Sequence, residues 1–338
     1  MGGVRAQFTT PVNIQMSLYS IPFYARFDET LGLPSGYKPQ GYLFVATEPR
    51  HMDYLRTNHA LQVSLGLKSV ELLAPADVAR LAPEIRHDDI IGASFCSTDG
   101  FVDPYSVMNG FMQKAQERGA ELLRETEVTA IQRDSRGVSG VETTRGPISG
   151  RVVVNAAGPW AGLLAKLAGV DLPIEPLRRM LVPTEKFDKV SQKSPMVIDM
   201  ATGFHYRPEG LGILMAWADT SETPGFNTNF DPAFIEKILT RGVKRLPVLE
   251  VAEVNPRRAW AGLYAVTPDH HSVLGPVAEL PGFFLANGFS GHGVMHSPAT
   301  GRILSDLILK GTTDIVDAQL LSVDRFASGR LLEETAVL

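Results

Sequence analysis

The 338-residue sequence predicts an α/β domain interleaved with an α+β domain, and three observations carry that reading. Strand-like and helix-like patterns alternate near both ends of the chain, whereas residues 172 to 258 read mainly as strands with turn punctuation, an antiparallel arrangement. The strand PGFFLANGF runs directly into the glycine-rich stretch SGHG and a long amphipathic helix, which closes the chain on strand, turn and helix. No internal repeat or low-complexity tract is present.

The first forty residues have the weakest pattern. Met1-Gly2-Gly3 starts abruptly, and SLYSIPFYARF (17 to 27) is apolar and aromatic, a surface expected to pack against something upstream. From Tyr42, GYLFVAT reads as a strand and HMDYLRTNHALQVSLG has helical spacing. Pro75 and Pro83 bracket a short helix, and IIGASFCSTDGFVDP is a strand and a turn. Residues 105 to 119 form an amphipathic helix, with Pro104 at its first position and Gly119 just past its end. Short strands with glycine turns follow, ending in VVVNAAG, an apolar run of the type buried in parallel sheets. Its exit through Ala157-Gly158-Pro159-Trp160 leads into the helix AGLLAKLAG. In the middle, LRRMLVPTE, SPMVIDM, GFHYRPE and LGILMAWAD are strand-like, and DPAFIEKILTRGVKRLP is a helix with Asp231 as N-cap.

Composition narrows the function. The chain is 44% hydrophobic, enough for one large or two medium domains. A net charge of −5 with both signs interspersed excludes the basic footprint of a nucleic-acid binder, so a small-molecule partner is expected. Cys96 is the only cysteine, which excludes an intramolecular disulfide and a cysteine-based zinc site and fits a reducing compartment. No signal-peptide pattern and no window of about 18 apolar residues occurs, so no membrane span and a cytoplasmic location are expected. His270 and His271 are adjacent and point to opposite faces of a strand, so no metal is expected there.

The glycine turn before the last helix is the most informative stretch. Orphan N–H groups and the helix dipole converge at such a turn and favour an anion or a polarised oxygen; the bland alternative is glycines that merely permit a tight turn. The motifs GGVRAQF, VVNAAGPWA, TPDHH (267 to 271), NGFSGHG and VDRF, in that order along the chain, resemble the D-amino-acid oxidase superfamily of FAD-dependent oxidoreductases. The similar branch holds sarcosine oxidase, dimethylglycine dehydrogenase and glycine oxidase, and the resemblance spans almost the whole chain.

The resemblance implies FAD as cofactor, bound by residues 1–34, 93–171 and 259–338, with a substrate domain of residues 35–92 and 172–258. It implies that Ser290, Gly291, His292, Gly293 and Val294 face the pyrimidine edge of the flavin. It places Ala157, Gly158 and Trp160 against the dinucleotide, Val128 on the adenine side, and Gly3 and Arg5 near the isoalloxazine ring. The family also begins with a strand, a G-x-G-x-x-G turn and a helix. No such motif occurs in these 338 residues, so Met1 is expected to lie downstream of that unit. Weakened FAD affinity and self-association through the uncovered surface are expected consequences.

The implied chemistry is oxidation of the C–N bond of an amino acid or N-methylated amino acid by hydride transfer to flavin N5. Tyr264 is implied on the substrate side, offering a hydroxyl to the carboxylate; a buried core tyrosine is the alternative. In GFHYRPE, strand alternation turns either Tyr206 or the pair His205 and Arg207 to the cavity; Tyr206 is preferred, Arg207 being the alternative. His292 is expected to act more through its backbone than its imidazole. Gly262 stands where sarcosine oxidase has its flavin-linking cysteine, implying a noncovalent flavin at that point. Leu214 and Met295 replace that enzyme's oxygen-promoting and carboxylate-binding lysines, implying a dehydrogenase with an unidentified electron acceptor. Arg5, Arg207 and Arg258 are the candidate carboxylate partners. The competing readings are a noncatalytic, assembly-type flavoprotein homologue and an inactive truncated fragment.

Overall fold

The computed structural model describes residues 1 to 336. From the N-terminus come β1 (Gly3–Val4), α1 (Pro11–Ala25), α2 (Phe27–Leu31), β2 (Tyr42–Ala46), α3 (Pro49–Ser64), β3 (Val70–Leu73) and α4 (Pro75–Leu81). Then follow β4 (Gly92–Cys96), β5 (Gly100–Phe101), α5 (Pro104–Glu117), β6 (Val128–Asp134), β7 (Gly137–Thr143), β8 (Ile148–Ser149), β9 (Val153–Asn155) and α6 (Ala161–Leu167). The middle holds β10 (Glu175–Pro183), β11 (Met196–Asp199), β12 (His205–Glu209), β13 (Gly212–Ala216) and α7 (Ala233–Arg245). The chain continues with β14 (Trp260–Val266), β15 (Val273–Pro276), β16 (Phe283–Asn287), α8 (Gly293–Lys310) and α9 (Asp324–Ala327). Helices α1, α3, α4 and α5 each open on a proline, whose missing N–H is one of the donors a first turn leaves unused anyway. The N-cap of α7 is Pro232 rather than the Asp231 expected from sequence; Asp231 sits one residue earlier and its carboxylate accepts the Ala233 N–H at 3.0 Å.

An eight-stranded sheet in the order β14-β10-β13-β12-β11-β2-β4-β3 dominates the molecule. Its pairs are antiparallel except β2 with β11. Period-two alternation gives the sheet two different faces. Leu43, Val45, Val197, Tyr206, Ile213 and Met215 turn to one face and form a core with Phe234 and Ile238 of α7 and Val78 of α4. Tyr42, Phe44, Ala46, Met196 and Ile198 turn to the other, which floors the cavities described below. Strands β4 and β14, on the dinucleotide side of the boundaries at 93 and 259 drawn from sequence, hydrogen-bond into this sheet instead.

A smaller sheet, β15-β16-β9, carries the parallel pair β9 and β16, and β6-β7-β8 forms a meander beside it. The outer edge of β9 has no strand partner among the described residues, and Val154 on it is 39% exposed. The apolar stretch 17 to 27, expected to pack on something upstream, lies mostly in α1 and packs on α8, far downstream. Ser20 Oγ accepts the Ala299 N–H at 3.2 Å, and Ser17 meets His296 Nε2 at 3.1 Å. Pro298 inside α8 has no N–H to give the Val294 carbonyl four residues earlier; the Tyr24 hydroxyl of α1 donates to that carbonyl instead. This contact pins the start of α8 where the cavity meets it. No helix of the described residues is long and apolar enough to cross a membrane.

Candidate functional site

Residues 288 to 292 make the turn that the glycines required. Gly288 (φ +68°), Ser290 (φ +50°) and Gly291 (φ +96°) all adopt left-handed backbone conformations. The turn delivers α8 with no side-chain cap at His292, and the N–H groups of Gly293, Val294 and Met295 meet no acceptor among the described residues. Ser290 is held from behind, its Oγ accepting the Thr267 N–H at 3.2 Å. The α8 terminus therefore presents bare donors and the positive end of an 18-residue helix dipole to an adjoining cavity of about 210 Å³.

Gly3, Arg5, Tyr264, Ser290, Gly291, His292 and Val294 line that cavity, so the structure brings together seven of the residues singled out in the sequence. Arg5 is 1% exposed and donates to the carbonyls of Gln7 and Ala336. Its guanidinium lies 4.0 Å from the Phe8 ring centre and 5.7 Å from that of Phe44. The segment bearing it is fixed by Asp99, whose carboxylate accepts the Ala6 N–H at 2.8 Å and Gln7 Nε2 at 3.1 Å. Burial pushes the Asp99 carboxyl up to about 6. No carboxylate forms an ion pair with Arg5 among the described residues, which leaves a buried positive charge facing the cavity.

Tyr264 lies against the glycine turn: a Cβ on Gly291 would stand 2.5 Å from its ring. Its hydroxyl has no protein partner among the described residues, and burial raises its pKa. The Arg179 guanidinium of β10 stands 5.5 Å from the centre of the same ring, and its buried Nε has no hydrogen-bond partner. His292 meets Phe8 edge to face at 4.9 Å, and burial holds its pKa well below the usual imidazole value, so the ring is neutral.

Tyr206 is the correction. It faces the opposite side of the sheet, entirely buried, with its hydroxyl on Glu84 at 3.0 Å. His205 lines the cavity in its place, and Arg207, on the same face, stacks 4.6 Å from the Phe101 ring centre and pairs with Glu209. Burial lowers the His205 pKa to about 4, and Nδ1 donates to the Gly203 carbonyl at 3.0 Å, so Nε2 is the ring's acceptor. Arg258 forms an exposed pair with Glu185 and does not line the cavity.

The remaining candidates lie elsewhere. Val128 opens the β6 meander and packs with Ala161 and Ala165 of α6. Ala157, Gly158 and Trp160 form a surface turn held by Asn155, whose Oδ1 accepts the Ala157 N–H at 3.1 Å and whose Nδ2 donates to the Ala161 carbonyl at 3.0 Å. Trp160 is 51% exposed and stacks on Phe226. The turn packs against β14, where Gly262 shares a strand face with Tyr264 and has open space above it. A surface thus leads from Trp160 past Gly262 towards Tyr264 and the cavity. Met295 lines the cavity with an apolar side chain, and Leu214 is buried in β13.

Sequence reasoning missed Tyr42, Arg179 and Asp99 as parts of this site, and weighed His205 only as the less preferred strand face. The parity of β12 could have been set from its neighbours had their pairing been known. Arg179 and Asp99 carry no motif at all.

The chain is 31% identical over 385 residues to FAD-dependent oxidoreductase domain-containing protein 1 of Bos taurus, covering 100% of this chain and 77% of that protein. It is 30% identical to the mitochondrial sarcosine dehydrogenase of Homo sapiens, over 84% of this chain and 32% of that one. Among solved structures, L-proline dehydrogenase from P. horikoshii superposes with a TM-score of 0.91 at 30% identity, covering 98% of this chain and 87% of that chain. Glycine oxidase from Geobacillus kaustophilus gives 0.84 at 26% identity, covering 96% and 87%. A family model described as FAD dependent oxidoreductase matches residues 1–307, and on that match the chain belongs to the DAO family of FAD-dependent oxidoreductases.

Proposed function

We propose that this protein oxidises the C–N bond of a small amino acid or N-methylated amino acid, with FAD bound noncovalently as the electron acceptor. One observation carries the reading: a single cavity joins the uncapped start of α8, the buried Arg5 guanidinium and the unpartnered Tyr264 hydroxyl. The residues fit the flavin's pyrimidine edge, because three bare N–H groups and a helix dipole favour the electron-rich oxygen and nitrogen there. Gly262 has no side chain with which to form a covalent bond to the flavin at that point, which supports noncovalent binding there. When bound, FAD supplies the two-electron acceptor, and the rest falls to the chain's own side chains.

Arg5 and the Tyr264 hydroxyl hold the substrate carboxylate. The Arg5 charge in a desolvated cavity also disfavours a second cation, so the amine is bound as the free base that oxidation requires. His205 adds to this as a neutral ring, its Nε2 positioned to accept a hydrogen bond from the amine N–H. Tyr42 and Met196 close the floor and limit the size of the alkyl group. The apolar Met295 and the buried Leu214, with no lysine at either place, support a dehydrogenase passing electrons to an acceptor other than oxygen.

Visible absorption of the purified chain, before and after FAD addition and desalting, tests the cofactor. Anaerobic bleaching by proline, sarcosine, dimethylglycine or glycine tests the substrate class. Flavin retained without bleaching by any of these amines would favour the assembly-type alternative.

A further inference from the structure

A second cavity, of about 460 Å³, lies beside the first on the same face of the large sheet. Strand alternation sets the two one step apart: Tyr42 and Met196 line the first, Phe44 and Ile198 the second, and His205 of β12 gives way to Gly203 just ahead of that strand. The two cavities share no lining residue. Arg5 stands between them, lining the first and donating to the Ala336 carbonyl on the wall of the second.

Apolar side chains and hydrogen-bond donors meet in this second cavity. Phe44, Ile198 and Met200 supply the apolar surface, and the first turns of α3 add Arg50, His51 and Tyr54 to the wall. His51 is only 8% exposed, and its Nδ1 accepts the Thr47 N–H at 3.4 Å, so the ring hydrogen is on Nε2. That Nε2–H has no hydrogen-bond partner among the described residues, and the ring lines the cavity. The Arg50 N–H meets no acceptor among the described residues either, since it lies in the first turn of a helix without a side-chain cap. The Arg50 guanidinium pairs with Glu48 at 2.7 Å on the exposed rim. Asp199, the acidic residue on the wall, follows Ile198 and turns its carboxylate to the opposite side of the sheet. There it accepts the Ala201 N–H at 3.2 Å and the Thr202 hydroxyl at 2.8 Å and stands 3.8 Å from Arg245 of α7. The cavity thus offers a buried free donor beside apolar surface, and no carboxylate to meet an ammonium group.

We propose that this second cavity is a binding site for a small carboxylate with an apolar tail and no amine. The carboxylate accepts from His51 Nε2 and the Arg50 N–H, and the tail lies on Phe44, Ile198 and Met200. An ammonium group would be buried among donors without an acceptor, which sets this ligand apart from the amino acid of the first cavity. Neither the flavin nor any residue lining the first cavity holds the ligand, so failure here and failure of the oxidoreductase reading are separate results.

Isothermal titration calorimetry of the full chain with hexanoate, acetate, hexanamide and 2-aminohexanoate tests the site. Hexanoate should saturate at one molecule per chain. Hexanamide, which lacks the charge, should bind about tenfold or more weakly, the loss expected for one charge-assisted hydrogen bond. Acetate, which lacks the tail, and 2-aminohexanoate, which adds the amine, should also bind more weakly than hexanoate. His51→Phe should lose hexanoate affinity by about the same tenfold factor, whereas Tyr264→Phe, in the first cavity, should keep it. No saturable hexanoate binding at millimolar concentration, equal affinity for any of the other three probes, or affinity lost in Tyr264→Phe and kept in His51→Phe overturns the proposal. If His51→Phe does not fold, Met200→Trp takes its place by putting an indole into the cavity, and hexanoate affinity unchanged in that folded variant overturns it.

Discussion

Replacing Gly291 by alanine should damage the site through two separable effects. The residue sits at φ +96°, where a side chain costs roughly 1–2 kcal/mol. Its Cβ would also stand 2.5 Å from Tyr264 Cε2 and 2.8 Å from Cζ, whereas ordinary contact begins at 3.4 Å. The ring must therefore retreat by about 0.9 Å, against Arg179 or into the cavity, an overpacking cost of roughly 1–3 kcal/mol. Together these give roughly 2–5 kcal/mol, and the size scaling of unfolding entropy converts that to a fall in Tm of about 3–7 °C. Gly293→Ala is the control, since its Cβ would meet Phe289 at an ordinary 3.4 Å in the first turn of α8. Differential scanning calorimetry of both variants decides the matter. A Gly291→Ala protein unfolding within about 1 °C of the parent, or an equal loss in Gly293→Ala, would refute the packing argument.

Three further outcomes are expected. Arg5→Gln should weaken the substrate's dissociation constant, measured by anaerobic reductive titration, by about tenfold or more, because a charge-assisted contact to the carboxylate is lost; unchanged affinity would remove Arg5 from the binding role. Asp99 is held at about 6, above its ordinary 3.8, so the fold disfavours its ionised form and its contribution is lost as pH rises from about 4 through 6. Asp99→Asn should therefore remove about 1.4 kcal/mol of pH dependence between pH 5 and 7.5, read as denaturation midpoints at those two values; parallel curves for the two proteins would contradict it. Tyr24→Phe should cost roughly 1–3 kcal/mol by leaving the Val294 carbonyl without its donor, and unaltered urea denaturation would show that Ser297 or water replaces it.

Much of the site was legible because its parts are local. Gly288 and Gly291 sit where left-handed backbone is needed, and strand, turn and helix follow one another without interruption. Likewise, Asp103 and Pro104 announce α5 within two residues: the Asp103 side chain accepts the Tyr105 N–H at 3.1 Å. What was not legible depends on distant partners. Tyr206 and His205 exchange roles on a one-residue change of parity, and that parity is set by pairing with β11 and β13. Helix α1 escaped notice because Pro22 interrupts it and α8 covers much of its surface, which erases a one-sided apolar pattern. Glu334 lies more than 300 positions from the Thr9 and Thr10 hydroxyls that donate to it, in a segment with no periodicity to read.

The Thr10 hydroxyl has two claimants for one proton. It touches Glu334 at 2.9 Å and His271 Nε2 at 2.8 Å, while His271 Nδ1 already donates to the Asp269 carbonyl at 2.8 Å. If the imidazole is neutral, Nε2 has no hydrogen and must take the one on Thr10, so Glu334 gives up that donor. If the imidazole is protonated, Nε2 donates to Thr10 and the hydroxyl is released to the carboxylate. Burial favours the uncharged ring, with a smaller push from Arg325, which is bonded to the Asp269 carboxylate at 2.7 and 3.0 Å behind this chain. The state of one buried histidine and the number of bonds holding the end of the chain are therefore the same variable.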